Sequence, residues 1–186
     1  MTQQSSIDIS INEAYKKSAA SGFELLYETY YRHVFFFLLN LSCDDSLSFD
    51  LTQEVFIKAH HEAGIASYNI KAWLYRVAAN EFYQNRRSYA SKIRYLLKNA
   101  FRFLTDGPDP GAEFTDGAIA GETKTRLRSA LQKLGENDRA VMILKYYDGL
   151  SYEEIANVLN IEIGTVMSRL SRAREKMREM MVDDGE

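Results

Sequence analysis

The chain's only two prolines, Pro108 and Pro110, stand together inside Thr105-Asp106-Gly107-Pro108-Asp109-Pro110-Gly111. Proline lacks a backbone donor and clashes with the preceding turn, so it ends helices. A chain of 186 residues that gathers its prolines at one point is suited to long helices on either side of a single break. The apolar spacing agrees. Phe23, Leu26, Tyr27, Tyr30, Val34, Phe37, Leu38 and Leu41 recur at intervals of three and four, which predicts one long helix ending before Ser42-Cys43-Asp44-Asp45. The aromatic residues of 23–41 read as core. A second helix over about 46–62 turns Leu47, Leu51, Val55 and Ala59 inward and leaves Asp50, Gln53, Glu54 and Ile57 on its other side. A third, over about 70–88, buries Trp73, Leu74, Val77, Ala78 and Phe82 and presents Tyr75, Arg76, Asn80, Tyr83, Arg86 and Arg87 outward. The basic, aromatic stretch 89–104 extends this half as a further helix.

Beyond the break, Leu127, Ala130, Leu131 and Leu134 share one face of a helix over 123–134. Asn137 or Asp138 is positioned to cap the next helix. Ser151-Tyr152-Glu153-Glu154 is a capping box, with Ser first and Glu three residues on. Asn160–Gly164 breaks that helix, Thr165 caps the last one, and Val166, Leu170, Ala173 and Met177 form its stripe to about Met181. Alternating patterns of strand length are missing. The expected fold class is therefore all-α: a polar, loose leader over 1–22 with a short helix near Glu13–Ala19, a helical domain over 23–104, a flexible acidic linker over 105–122, and a second helical domain over 123–186.

Charge is segregated along this frame. Residues 71–102 hold eight Lys/Arg against one Asp/Glu, whereas residues 1–70 hold four against nine and residues 103–123 none against five. A second basic cluster, Arg169, Arg172, Arg174, Lys176 and Arg178, lies on the last helix. Two basic stretches in a mildly acidic chain read either as two polyanion contacts or as solvated helix faces. A single cysteine, Cys43, excludes a disulfide framework, and it is expected to lie in a turn with no basic neighbour to lower its pKa and to play no redox role. His60 and His61 point about 100° apart on a helix and do not converge on one ion. No phosphate loop, paired catalytic carboxylates or nucleophile–base set is present. No cofactor, no metal and no catalytic activity are expected. Residues 1–20 lack the pattern of a signal peptide, and the longest apolar run, Val34–Leu39, is too short to cross a bilayer, so a cytoplasmic protein without membrane insertion is expected.

Ser151 to Arg178 has the layout of a helix-turn-helix: a short capped helix, a tight corner plugged by Ile161, and a longer helix whose first turns are polar and basic. Small Ala156 lets the two helices cross closely. Thr165, Ser168, Arg169, Arg172 and Lys176 share a face offset from the apolar stripe and can reach base edges and phosphates. An ordinary helical hairpin with a charged outer face is the alternative.

These segments are recognisable. Gly149-Leu150-Ser151-Tyr152-Glu153-Glu154-Ile155-Ala156 followed by Gly164-Thr165-Val166-Met167-Ser168-Arg169-Leu170-Ser171-Arg172-Ala173-Arg174 resembles region 4 of the extracytoplasmic-function (ECF) sigma factors, the smallest members of the sigma-70 family. Asp50-Leu51-Thr52-Gln53-Glu54-Val55-Phe56 resembles region 2.2, and Ala72–Asn80 resembles regions 2.3 and 2.4. The resemblance covers about 23–88 and 123–180. It implies that Asp50, Gln53, Glu54 and Ile57 dock on the clamp helices of the largest catalytic subunit of core RNA polymerase. It implies that Tyr75, Arg76, Asn80, Tyr83, Arg86 and Arg87 hold the melted −10 element, with Arg76, Arg86 and Arg87 following phosphates, Tyr75 and Tyr83 offering stacking faces, Asn80 pairing with a flipped base edge, and the loop Gly64–Asn69 beside the base pocket. It assigns Thr165, Ser168, Arg169, Arg172 and Lys176 to the −35 element, the apolar outer surface of region 4 to the polymerase flap of the second subunit, and an anti-sigma factor as a further partner. Met167 stands where a basic residue is common, Gly135 where proline is usual and Gln84 where an acid is frequent. The competing readings are a dimeric helix-turn-helix regulator that never joins the polymerase, and an enzyme using His60, His61 or Glu62.

Overall fold

The computed structural model describes residues 6–62, 64–67, 69–100 and 129–183. Among these, every regular element is helical: α1 (Ser6–Lys17), α2 (Ala19–Ser42), α3 (Asp45–His61), a 3₁₀ turn (Ile65–Ser67), α4 (Ile70–Ala100), α5 (129–133), α6 (Glu136–Met142) running into a π-helical turn (Ile143–Tyr147), α7 (Tyr152–Leu159) and α8 (Ile163–Asp183). The expected linker 105–122 lies outside the described residues, as do 123–128. No described helix is long and apolar enough to cross a membrane.

Local chemistry explains most boundaries. Ser18 accepts from the Ser21 amide at 3.0 Å and starts α2. Cys43 ends it in the left-handed conformation (φ 59°), its amide bonded to the Leu39 carbonyl at 3.0 Å. Asp44 then caps α3 through the Leu47 amide at 2.9 Å. The capping box at Ser151 forms in full: Glu154 accepts from the Ser151 amide at 2.8 Å and Ser151 accepts from the Glu154 amide at 3.1 Å. Two expected caps are displaced. Gly135, not Asn137 or Asp138, occupies the cap position of α6 and makes no side-chain bond. Glu162 rather than Thr165 precedes the first turn of α8, because its carbonyl already accepts from the Thr165 and Val166 amides. The basic stretch after residue 88 is not a separate helix; α4 continues without a break through Ala100.

The expected loose leader is corrected. Helix α1 packs on α2, with Ile11 fully buried. Asp8 accepts a 2.8 Å hydrogen bond from the Tyr30 hydroxyl, and burial raises its pKa although that bond and the nearby Lys71 oppose the rise. The crossing is close enough that a Cβ on Gly22 would stand 2.3 Å from the Tyr15 ring. The leader looked unstructured because Ile7, Ile9 and Ile11 alternate rather than recur at three and four, and only Ile11 of them is buried.

The larger finding is that the two expected domains share one core. Leu26, Val34, Phe37, Leu38 and Leu41 of α2 meet Val55 and Phe56 of α3 and Leu74, Ala78 and Phe82 of α4. The same cluster continues through Val141, Leu144, Ile155, Val158, Val166 and Leu170 of the C-terminal half. Burying each such side chain contributes about 1.5–3 kcal/mol, so the seam is a main source of stability. A smaller cluster of Ala130, Leu134, Ala173 and Met177 holds α5 against α8.

Asp148 is the polar centre of the seam. The π turn ends with the Asp148 amide on the Ile143 carbonyl at 3.2 Å, and Gly149 follows with φ 69°, a conformation glycine adopts without strain. These two steps turn the Asp148 side chain onto α2 and α4. Its Oδ1 accepts from the Tyr75 hydroxyl and lies 3.6 Å from His33 Nδ1, while Lys71 Nζ donates to its backbone carbonyl. Burial raises the Asp148 pKa, against the opposing pull of Tyr75, Lys71 and His33. Tyr75 is itself fully buried, its ring edge-on to Phe37 at 5.3 Å, and burial beside Asp148 raises its pKa strongly.

Two outcomes follow from this packing. Urea should unfold the chain in one transition, with tryptophan fluorescence and circular dichroism coinciding; two separated transitions would contradict a common core. Tyr75→Phe should cost about 1–3 kcal/mol at neutral pH by leaving the Asp148 carboxylate without its donor. The donor stabilises the ionised carboxylate, so the deficit should shrink as pH falls and Asp148 is protonated. Urea midpoints at neutral and mildly acidic pH measure both.

Candidate nucleic-acid interface

Three sets of side chains carry the functional expectations. The first lies on α3. Asp50, Gln53, Glu54 and Ile57 are all exposed, with Ile57 at 50%. The opposite face buries Leu51, Val55 and Ala59, which fixes the orientation of the helix. Phe49, 48% exposed, joins the same stripe four residues before Gln53 and eight before Ile57. Sequence reasoning missed Phe49, although its spacing from Gln53 was visible. The face therefore combines two carboxylates, an amide and two apolar side chains, and it is not covered by another described element.

The second set lies on α4 and is divided by the fold. Arg76, Asn80 and Arg87 are exposed and share one stripe at spacings of four and seven. Tyr75 does not belong with them. The expected stacking face is fully buried and bonded to Asp148, because α4 turns that residue toward Phe37 and the seam. Tyr83 is half-buried, its hydroxyl donating to Asn137 Oδ1 at 3.2 Å. Burial raises the Tyr83 pKa, with Glu136 adding to the rise and Arg169 opposing it. Arg86 forms an ion pair with Glu136. Trp73 is half-buried and packed against the core, in line with its expected structural role. Ile65 of the 3₁₀ turn is buried, and Asn69 accepts from the Ala72 amide at 2.9 Å, so the turn is anchored directly ahead of α4.

The third set lies on α8. Ala156 and Ile155 of α7 pack beneath Val166 and Leu170, and Asn160 makes the corner in the left-handed conformation (φ 51°). The corner is closed by the Ile161 amide on the Ala156 carbonyl at 3.0 Å, with Ile161 packed against the core as expected of a plug. This is helix-turn-helix geometry. Thr165, Ser168, Arg169, Arg172 and Lys176 occupy one stripe of α8 away from the buried Val166, Leu170, Ala173 and Met177. Ser168 donates to the Thr165 carbonyl at 3.0 Å. Arg172 pairs with Asp138 Oδ1 at 3.1 Å, and Arg169 is half-buried toward Tyr83. Met167, at 53% exposure, places a thioether where the helix could carry a further cation.

The fold thus turns parts of the second and third sets toward each other across α6. Glu136 and Asn137 engage Arg86 and Tyr83, and Asp138 engages Arg172. The Arg86–Glu136 pair lies at the surface, contributes about 0–1 kcal/mol and is screened by salt, whereas Arg172 reaches the buried carboxylate of Asp138. One further expectation is corrected here. Cys43 does have a basic neighbour: Arg139 Nη1 lies 2.7 Å from its Sγ, brought there from 96 positions away in the chain. His60 packs edge-on against Phe23 at 4.8 Å, which accounts for its place on α3. Tyr27, expected in the core, is 41% exposed and lies with Phe23 and Tyr31 on an aromatic ridge against Phe56.

The comparisons with known proteins follow the same division. The Sigma-70 region 2 family matches residues 26–92, and the Sigma-70, region 4 family matches residues 124–177. The RNA polymerase sigma factor YlaC of Bacillus subtilis is 31% identical over 88% of this chain and 94% of its own length. The ECF RNA polymerase sigma factor SigE of Mycolicibacterium smegmatis is 32% identical over 71% of this chain, which spans 51% of that relative's length. Among solved structures, the sigma factor RpoE of Bartonella quintana, crystallised with the anti-sigma factor NepR, superposes with a TM-score of 0.66 at 26% identity, covering 86% of this chain and 96% of that one. A helix-turn-helix behind a region 2 bundle, matched in order by both family descriptions and nearly end to end by a sigma factor, makes this chain a member of the ECF branch of the sigma-70 family.

Proposed function

We propose that this protein joins core RNA polymerase and directs it to promoters through −35 and −10 contacts, without catalytic activity of its own and within the cytoplasm. The observation that carries the reading is the coexistence, in one chain, of the exposed Phe49–Gln53–Ile57 face, the Arg76–Asn80–Arg87 stripe and the α8 helix-turn-helix. A dimeric operator-binding regulator needs only the last of these.

Each face has a stated task in this reading. Asp50 and Glu54 meet basic side chains of the clamp helices of the largest catalytic subunit, while Phe49 and Ile57 supply apolar contact at the centre. Arg76 and Arg87 follow the phosphates of the unpaired −10 strand, and Asn80 reads a base edge between them. Capturing unpaired bases stabilises the open duplex without fuel, because only the melted form offers those contacts. Arg169, Arg172 and Lys176 position α8 in the major groove of the −35 element, with Thr165 and Ser168 nearest the bases. The flap of the second polymerase subunit meets the apolar outer surface of region 4. An anti-sigma factor, as in the relative crystallised with one, is the expected antagonist. The domain division proposed for these tasks is 23–104 and 123–186, joined through 105–122.

The α6 contacts add a condition. Tyr83, Arg86 and Arg172 hold protein partners in this arrangement, so the two DNA-facing stripes become fully available only when the seam opens. Polymerase docking through α3 requires no such change, which orders the events: core binding first, promoter contact afterwards.

Gel filtration with sigma-free core polymerase tests the reading. Co-elution that weakens at least about tenfold in Asp50→Ala/Gln53→Ala is expected, corresponding to about 1.4 kcal/mol. Separate elution with a dimer peak would favour the operator-binding regulator. Asn80→Ala should leave core binding and duplex binding intact while abolishing permanganate reactivity of −10 thymines; normal reactivity would remove Asn80 from the site. Arg169→Ala/Arg172→Ala should abolish −35 dependence without loss of core binding.

A further inference from the structure

Between α2 and the C-terminal half lies a cavity of about 480 Å³. This is within the range of about 300–1,000 Å³ typical of small-molecule sites. One wall is Phe36 and Leu39 of α2; the other is Leu131, Met142 and Met177 of α5, α6 and α8. Among the described residues its single charged lining group is Arg32, and no carboxylate lines it. Arg32 has no carboxylate partner among the described residues. Asn40, the other strongly polar lining side chain, spends its amide on the Phe36 carbonyl at 2.7 Å. The site is therefore an apolar cleft with one exposed cation, Arg32, at its edge. That inventory selects a ligand with an apolar body and a single negative headgroup. Nucleic acid, with a charge on every residue and no apolar tail, does not match it.

We propose that this cavity binds a single-chain aliphatic carboxylate, with the headgroup on Arg32 and the chain lying between Leu39 and Met142. Thioether and Leu walls adapt to a linear chain without fixed shape. Because the walls come from both halves of the molecule, the ligand binds only the closed arrangement. It therefore stabilises the state in which Tyr83, Arg86 and Arg172 are held by α6. The effect on transcription rests on the proposed sigma function; the binding itself does not.

Calorimetric titration of the full chain with sodium decanoate, below its micelle concentration, tests the site without polymerase or DNA. Saturable binding of one decanoate per chain is expected, tighter than that of decanol by about two- to fivefold, since a charge-assisted contact to the exposed Arg32 is lost with the neutral head. Arg32→Gln should erase the difference between the two probes. Met142→Trp should fill the chamber and abolish binding, with circular dichroism and the thermal midpoint reporting that the fold is kept; if that variant fails to fold, Leu131→Trp serves the same purpose. Non-saturable uptake, equal binding of decanol, or binding unchanged in the Trp variant would overturn the proposal. Saturating decanoate should also lower promoter-specific transcription by wild type and leave Met142→Trp unaffected; equal inhibition of both would overturn the coupling. A chain that binds decanoate yet never joins core polymerase would refute the sigma reading and leave the site standing, whereas normal transcription with no decanoate binding would do the reverse.

Discussion

One buried guanidinium holds the two halves in register. Arg139 is 7% exposed, and its Nη1 donates to the Leu41 carbonyl at 3.1 Å while Nη2 donates to the Gln132 and Leu134 carbonyls, both at 2.8 Å. Leu41 belongs to the last turn of α2, where carbonyls have no partner within the helix and the dipole is negative. Leu134 ends the segment that leads into α6. A cation is thus placed where two chain ends present their unsatisfied acceptors. The planar fork of arginine reaches both sets at once, which the single ammonium of lysine cannot do. Its charge is balanced by carbonyl dipoles rather than by a carboxylate among the described residues. Orienting α6 in this way brings Glu136, Asn137 and Asp138 against α4 and α8, so the seam depends on it.

What the sequence discloses here is what repeats over three or four residues. The α2 stripe apart from Tyr27, the outward face of α3, the capping box at Ser151 and the two sides of α8 are all set by local spacing, and the structure places them as read. The exceptions are contacts between distant segments. Tyr75 had the outward position of a stacking residue, but its partner Asp148 lies 73 positions away and no local rule links them. Cys43 and Arg139 are farther apart still. The α1 helix is held by Ile11 and the Asp8–Tyr30 bond, which again join segments with no common period. Local periodicity also hid the shared core, since each half alone reads as a complete amphipathic bundle.

The surfaces differ in how free they are. The α3 face is open, while the α4 and α8 stripes are partly engaged with α6. Those engagements are mostly rim ion pairs, weak in water and readily exchanged for phosphate contacts. The buried part of the seam, around Asp148, is of another kind: a carboxylate held away from water with only part of its hydrogen-bonding capacity used, since its Oδ2 has no hydrogen-bond partner among the described residues. Such a group favours separation once a competing surface admits solvent. The closed form is thus sustained by apolar area and Arg139, and its polar centre leans toward release.

The π turn at Ile143–Tyr147 sets the rotational phase between α6 and the loop that carries Asp148. It widens one turn by a residue, and each residue of helix is about 100° of rotation. The information in this segment therefore lies in its length as well as in the buried Ile143 and Leu144. Tyr146 points outward at 58% exposure. Removal of the exposed Tyr146 would return the ladder to an ordinary α-helix, swing Asp148 off Tyr75 and Lys71, and uncouple the halves without deleting a side chain of the buried core.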